Sequence, residues 1–277
     1  MQHINVTGLV VRSVNYGERD RILTVYTEEK GLITVMANGS RSLKSRAVVA
    51  AELFCYSRYL LSYKNGRYTL KEVELLESFF DLRQDVTKVA LAAYVCEVLS
   101  HVGTENEADK ELLRLCLNTL YAIAKEKAPM AQIKGAFEMR AAAVLGFMPE
   151  LSHCVRCAEE GTDAVLDVMN GSVTCGACRR AAFYAVSPEE YDPAHAMILC
   201  PLTENARAAL FYVIRCPVER FLAFRLSGQE DENSFSRAAE TYLLNHLETG
   251  FKTLDFYKQL VSSLSTPNEG KKTEENK

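Results

Sequence analysis

The hydrophobic pattern of the chain changes its period once, near Asp81, and this change divides the sequence into two parts. Before it, short runs rich in β-branched residues are separated by turn residues, such as Gly31 and the pair Asn65-Gly66. Asn-Gly between two such runs indicates a two-residue hairpin. One of these runs, from Val48 to Tyr63, predicts a long strand. Roughly five strands joined by short turns predict a small closed β-barrel of the OB type over residues 1–80.

After Asp81 the apolar residues recur at helical spacing, for example at Val89, Ala93 and Leu99. Residues 81–264 therefore predict an α-helical domain, interrupted at 150–182 by a segment without helical periodicity. The helical pattern resumes near Ser187, an N-cap residue that proline and two glutamates follow. Residues 265–277 have too little apolar surface to fold, and we expect a disordered tail. The fold class predicted for the whole chain is α+β, an N-terminal OB-fold barrel followed by helices with an inserted four-cysteine segment.

The interrupting segment carries two cysteine pairs of the form Cys-x-x-Cys, at Cys154 and Cys157 and at Cys175 and Cys178. Two residues between cysteines allow one tight turn to direct both sulfurs at one ion, and the gap between the pairs suits a structural zinc site. Between them, Asn170-Gly171 predicts a hairpin that returns the second pair to the first. We therefore predict a structural Zn²⁺ held by four thiolates.

Other interpretations of these cysteines are free thiols in loops, a thioredoxin-like redox pair and a catalytic zinc. A redox pair needs a single pair after a strand in a βαβ unit. A catalytic zinc keeps an open position and commonly uses histidine or carboxylate ligands. His153 is adjacent, but the deaminase signature is missing, so we interpret it as a neighbour. The remaining cysteines lie among apolar residues and are interpreted as core: Cys55, Cys96, Cys116, Cys200 and Cys216.

Charge is distributed unevenly along the chain. Residues 1–80 carry 11 basic and 8 acidic side chains, whereas the remainder carries 21 and 28, which together give the net charge of −4. A polar loop in the positive part holds Arg41, Lys44 and Arg46 among serines, a composition that suits phosphate oxygens. Further basic candidates near it are Arg19 and Arg21, and also Arg12, Arg58 and Lys64. Tyr16 and other barrel aromatics could stack on bases or lie in the core.

The order of these motifs resembles the RecO family of recombination mediators. The resemblance rests on Gly8-Leu9-Val10-Val11, on Tyr16-Gly17-Glu18-Arg19-Asp20, and on Gly39 to Arg46, followed by a helical body with the four-cysteine segment. It covers nearly the whole chain up to Leu264. Family patterns often have alanine and arginine where this chain has Ser40 and Ser42, which leaves fewer positive charges in the loop.

The resemblance implies binding to single- and double-stranded DNA and annealing of complementary strands. It also implies work with RecR to load RecA onto DNA that is coated by single-stranded-DNA-binding protein, whose C-terminal tail docks on RecO. It implies a DNA repair protein that is not an enzyme and that acts in the cytoplasm at the nucleoid.

Three alternative functions remain open from the residues themselves. One is an RNA-binding or transcription-associated OB and zinc protein, a second is a zinc-dependent hydrolase, and a third is an interaction scaffold. The sequence has no P-loop, no dinucleotide fingerprint and no grouped Ser, His and Asp. These absences favour binding over catalysis.

Overall fold

The N-terminal part of the molecule is a closed five-stranded barrel. The structure, a computed structural model, describes residues 2–42, 47–159, 164–185 and 197–265. The strands are β1 (Gln2–Tyr16), β2 (Asp20–Thr27), β3 (Gly31–Ala37), β4 (Tyr56–Lys64) and β5 (Arg67–Glu77). They follow the order β1-β2-β3-β5-β4, and β4 pairs with β1 to close the barrel. The predicted fold class, a five-stranded barrel followed by helices, is confirmed.

Alternation along the strands fills the barrel interior. In β3, Ile33, Val35 and Ala37 are buried, whereas the intervening Thr34 is exposed, which is the two-residue period of a strand with one face inward. Inward-facing residues of the other strands complete the barrel core, which includes Val6, Val10, Leu23, Val25, Tyr59 and Leu61. Among the barrel strands that the structure describes, only β3 and β5 pair in parallel, and this pairing joins Val35 to Tyr68 and Met36 to Thr69.

The connection from β3 to β4 differs from the sequence prediction, which had a long strand from Val48 to Tyr63. Instead, a helical turn α1 (Ala47–Ala50) precedes β4, and Ala51 enters the barrel core at 1% exposure. Phe54 adopts a left-handed φ of 72°, and its N–H donates to the Val10 carbonyl. Apolar residues alone could not distinguish a strand from a segment that closes one end of the barrel.

The C-terminal part is a helical body. It contains α2 (Val86–Val102), α3 (Lys110–Ala124), α4 (Met130–Val144), α6 (Glu204–Arg215), α7 (Gln229–His246) and α8 (Lys252–Ser265). Asp85 and Asp109 cap α2 and α3 by accepting hydrogen bonds from backbone N–H groups of the first turn. The apolar side chains of these helices form one core, which also includes Leu9, Val11 and Tyr26 of the barrel. No helix among the described residues is long and apolar enough to cross a membrane.

A small sheet interrupts the helices. It consists of β6 (Ala164–Asp167), β7 (Ser172–Cys175) and β8 (Leu199–Leu202) in the order β7-β6-β8, and α5 (Gly176–Ala185) follows β7 directly. The predicted hairpin around Asn170-Gly171 is confirmed by the antiparallel pairing of β6 with β7. The third strand, β8, was not predicted. The helix start predicted at Ser187 and the tail from Thr266 lie outside the described residues.

The barrel and the helical body meet in direct contact. The Tyr26 hydroxyl accepts the Asp109 N–H at 3.0 Å, and the Leu32 N–H donates to the Thr104 carbonyl at 3.0 Å. Gly31 has a φ of 63°, and a β-carbon at this position would lie 2.2 Å from the Thr104 carbonyl oxygen. The junction therefore requires glycine at position 31.

Candidate metal centre and nucleic-acid interface

The four paired cysteines converge on one point. The sulfurs of Cys154, Cys157, Cys175 and Cys178 all lie within 4.8 Å of one another, and those of Cys157 and Cys175 are 3.8 Å apart. Four sulfurs at about 2.3 Å from a zinc ion would form a tetrahedron with edges of roughly 3.8 Å. The donor set and its spacing therefore fit a tetrahedral metal ion, and the group could hold one.

Local backbone structure aims each pair at this point. In the first pair, the Ala158 N–H donates to the Cys154 carbonyl at 2.8 Å, and Ala158 has a left-handed φ of 60°. In the second pair, the Cys178 N–H donates to the Cys175 sulfur at 3.4 Å at the start of α5. A hydrogen bond of 3.0 Å from the Val155 N–H to the Val173 carbonyl joins the first pair to β7.

The thiols differ in acidity because their surroundings differ. Burial raises the pKa of Cys154. Hydrogen bonds from the backbone of Cys175 and Arg156, and from Cys157, lower this pKa by more, and the net pKa is about 6. Hydrogen bonding with the Cys157 thiol is the main cause that raises the pKa of Cys178 to about 12. One sulfur thus ionises readily while a close neighbour resists ionisation, and a bound cation would favour all four thiolates.

His153 stands beside the cluster but outside the group of potential ligands. Its Nδ1 lies 2.7 Å from the Ser152 hydroxyl oxygen and 4.0 Å from a Glu150 carboxylate oxygen. Among the described residues, the four cysteines alone form such a group of His, Cys, Asp or Glu. This arrangement agrees with the interpretation of His153 as a neighbour. The five other cysteines are buried, as predicted.

The rest of the molecule holds the four-cysteine segment through contacts that the sequence did not signal. The Arg207 Nη1 in α6 donates to the carbonyls of Leu151 and Ser152, just before the first pair. The strand β8 pairs with β6 and packs on α7. No motif marks Arg207, because its role depends on a contact between distant parts of the chain.

At one end of the barrel, the β1–β2 turn and the loop after β3 lie together. The Arg41 N–H donates to the Arg19 carbonyl at 2.9 Å, and the Arg41 Nη1 donates to the Gly17 carbonyl at 3.0 Å. The Gly39 N–H donates to an Asp20 carboxylate oxygen at 2.7 Å. Arg19 and Arg41 are both exposed. We name this the basic end of the barrel for its two exposed arginines. It is defined by residues 17–20 and 38–42, which also include the acidic Glu18 and Asp20.

Three further predicted DNA contacts, Arg21, Lys44 and Arg46, fall into two groups. Arg21 is engaged inside the structure, because its Nη1 lies 2.7 Å from a Glu52 carboxylate oxygen and its side chain is 15% exposed. Its guanidinium also donates to the Val48 carbonyl at 3.4 Å. Arg21 thus has a structural partner on the β3–β4 connection. Lys44 and Arg46 lie outside the described residues.

The barrel aromatics divide into core and surface. Tyr26, Phe54 and Tyr59 are buried, as an apolar core requires. Tyr16 is 54% exposed and precedes Gly17 at the basic end, and Tyr63 is 37% exposed. Tyr16 is therefore the aromatic ring that the fold leaves beside the exposed arginines.

Comparison with known proteins adds a family to this geometry. Residues 1–79 match the family model "Recombination protein O N terminal", and residues 83–255 match "Recombination protein O C terminal". A DNA repair protein RecO from Acetivibrio thermocellus is 31% identical over 261 residues, which cover 94% of this chain and 98% of that protein. The proteins of the same name from Alkaliphilus metalliredigens and Symbiobacterium thermophilum are 31% and 29% identical, over 93% and 94% of this chain and 99% and 98% of theirs.

Proposed function

The chain belongs to the RecO family of DNA repair and recombination proteins, and we propose that it binds single-stranded DNA through the basic end of its barrel. One observation carries the proposal. Two separate segments of the chain meet at that end and expose Arg19 and Arg41 beside Tyr16. Cationic side chains neutralise phosphates, while an exposed ring can stack on an unpaired base.

We propose that the two parts of the molecule have different functions, DNA binding and protein binding. Residues 1–80 are the DNA-binding domain, residues 81–264 are a helical domain that contacts protein partners, and residues 265–277 are a tail. No covalent step is required, and the protein is not an enzyme. Two complementary strands held on one basic surface repel each other less, so annealing is favoured electrostatically. Duplex DNA binds through the same phosphate contacts.

In the proposed pathway this protein works with RecR at DNA coated by single-stranded-DNA-binding protein. The C-terminal tail of that coating protein docks on the helical domain, and RecA loading follows indirectly. The protein acts in the cytoplasm at the nucleoid. The family membership supports this part of the proposal.

We also propose that the four cysteines hold Zn²⁺. The ion supplies a cross-link between the two cysteine pairs and no reaction step. Cys154 and Cys157 hold it from one turn, and Cys175 and Cys178 hold it from the junction of β7 and α5. The sulfur spacing supports this assignment.

A salt titration of DNA binding tests the proposal. The double variant Lys44→Glu with Arg46→Glu is expected to weaken binding regardless of base sequence. If both side chains contact phosphates of single-stranded DNA, the slope of log K against log salt falls by roughly 1.4, about 0.7 per contact. Lys110→Glu with Arg225→Glu makes the same charge change at exposed positions of the helical body. This control variant is expected to keep the wild-type slope.

Unchanged affinity and salt slope in the Lys44→Glu, Arg46→Glu variant would exclude both side chains from the DNA interface. Parallel titrations with duplex DNA and with RNA separate the DNA-binding function from an RNA-binding one. Preference for RNA over single-stranded DNA would contradict the proposal.

A further inference from the structure

An open cleft of about 530 Å³ lies where the barrel joins the helical body. Its walls come from β1, from the segment before β4, from α2 and from the start of α8. The residues that matter for its chemistry are Arg12, Leu53, Glu97, His101 and Phe251. Its volume falls within the range of sites for small organic molecules. We infer that this cleft receives one unpaired nucleotide of the bound single strand, an inference that rests on the proposed function.

Strand β1 connects this cleft to the basic end of the barrel. A β-bulge between Val10 and Arg12 changes the register, after which Ser13 pairs with the buried Leu23 and points inward. Its neighbours Arg12, Val14 and Tyr16 therefore face outward, and Val14 and Tyr16 are 42% and 54% exposed. These three side chains therefore lie on one face of β1, between the cleft and Gly17.

Arg12 supplies a cation at the mouth of the cleft. Its side chain is exposed and has no ion pair or hydrogen bond within the part of the chain that the structure describes. Arg21, on the neighbouring strand, is by contrast bound to Glu52. A free guanidinium facing an open cleft suits a phosphate oxygen of a passing strand.

The floor of the cleft offers ring surfaces. His101 is exposed, and its ring lies 5.6 Å from that of Phe251 at an interplanar angle of 89°. The edge contact leaves a face of the imidazole open for stacking with a base. Leu53 adds an apolar wall, and Ser100 adds a hydroxyl.

The carboxylate of Glu97 does not oppose this assignment. It accepts hydrogen bonds from the backbone N–H and the hydroxyl of Thr253 in the first turn of α8, the former at 3.1 Å. Its charge is thus directed at the amino end of a helix, where negative charge is favourable. The groups left to meet a ligand are Arg12 and His101.

The test compares single-stranded and duplex DNA with the full-length protein. Arg12→Gln with His101→Ala is expected to weaken binding of single-stranded DNA about tenfold, because a stacked base and a phosphate contact are lost. Duplex DNA, whose bases are paired and stacked, places no base in the cleft and keeps its phosphate contacts at the basic end. It should therefore bind within about twofold of wild type. Arg225→Gln is the matched control for the loss of one exposed arginine and should leave both affinities unchanged.

A conservative variant separates stacking from packing. His101→Phe keeps a ring at the cleft, so it should bind single-stranded DNA within about twofold of wild type, whereas His101→Ala alone should not. In the wild-type protein, an oligonucleotide that carries 5-iododeoxyuridine should crosslink to the peptide that contains His101. Because this crosslinking uses the wild-type protein, its result does not depend on whether a variant folds.

Several results would overturn the inference. One is the absence of crosslinks to the peptide that contains His101. Another is an equal loss of affinity for single-stranded and duplex DNA in the double variant. The third is wild-type affinity of the double variant for single strands. In the last case the proposed function survives if the wild-type protein still binds single strands with the expected salt slope. If it binds no single strands at all, both proposals fail.

Discussion

Inside the barrel the buried polar side chains are hydroxyls, whereas in the helical body they include full charges. The barrel buries Thr27, Ser40, Ser57 and Ser62, while the helical body buries Lys134 and Glu138. A closed sheet satisfies its own backbone hydrogen bonds, so its interior needs only apolar residues of the right size. The helical body instead combines an apolar core with buried charges and the group of four cysteines.

The charges in the body form one network. The Lys134 Nζ lies 3.0 Å from Glu138 and 2.8 Å from Glu240, which Lys258 also contacts at 2.6 Å. The Tyr94 hydroxyl donates to Glu138 at 2.9 Å. The network therefore joins α2, α4, α7 and α8. The comparison teaches that the barrel should tolerate changes of pH and of metal concentration that the helical body does not.

The largest expected effect comes from the metal site. Cys175→Ser with Cys178→Ser is expected to abolish zinc binding and to unfold the four-cysteine segment, because metal binding supplies about 10–16 kcal/mol in zinc-finger peptides. Metal analysis should find zinc in the wild type and none in the variant, and limited proteolysis should cut within residues 150–182. Cys216→Ala should retain the metal. Equal zinc content and equal melting temperature in the double variant would contradict the assignment.

The second effect concerns the buried lysine. Lys134→Met leaves the buried Glu138 without its cation and Glu240 with Lys258 alone. We therefore expect a loss of about 3–5 kcal/mol in the free energy of unfolding at pH 8. The loss should be smaller at pH 5, where the stranded Glu138 can take up a proton. Denaturant unfolding measures both values. Arg114→Met breaks an exposed ion pair with Glu219 and should cost at most about 1 kcal/mol. Similar losses in both variants would mean that burial of the network does not matter.

The smallest effect is a pH dependence confined to the body. Burial is the main cause that raises the pKa of Glu138 to about 7, against an ordinary value of 4.5. A raised carboxyl pKa means that the folded state binds the proton more tightly, so this group's contribution is full below pH 4.5 and is lost as the pH rises through 7. The difference in unfolding free energy between wild type and Glu138→Gln should therefore fall over this range, by at most about 1.4 kcal/mol per pH unit. A constant difference would show that Glu138 does not titrate there.

Much of the architecture could be predicted because it depends on local pattern. The change of period near Asp81 separates strands from helices, and Asn170-Gly171 specifies a hairpin between the two cysteine pairs. Spacing alone brought four sulfurs to one point, since each pair lies in its own tight turn. The segment before β4 was mistaken for strand because its apolar residues serve a barrel end instead of a sheet face.

The sequence by itself determined the division into a strand-rich part and a helical part, the grouping of four thiols and the positive charge of the first part. Only the tertiary structure decided which charges are available. Arg21 and Arg41 look alike in the sequence, yet one is bound to Glu52 and the other lies exposed at the basic end. The cleft beside Arg12 likewise exists only because residues far apart in the chain meet there. Local pattern reflects the backbone's own periods, whereas exposure and partnership depend on contacts between distant segments.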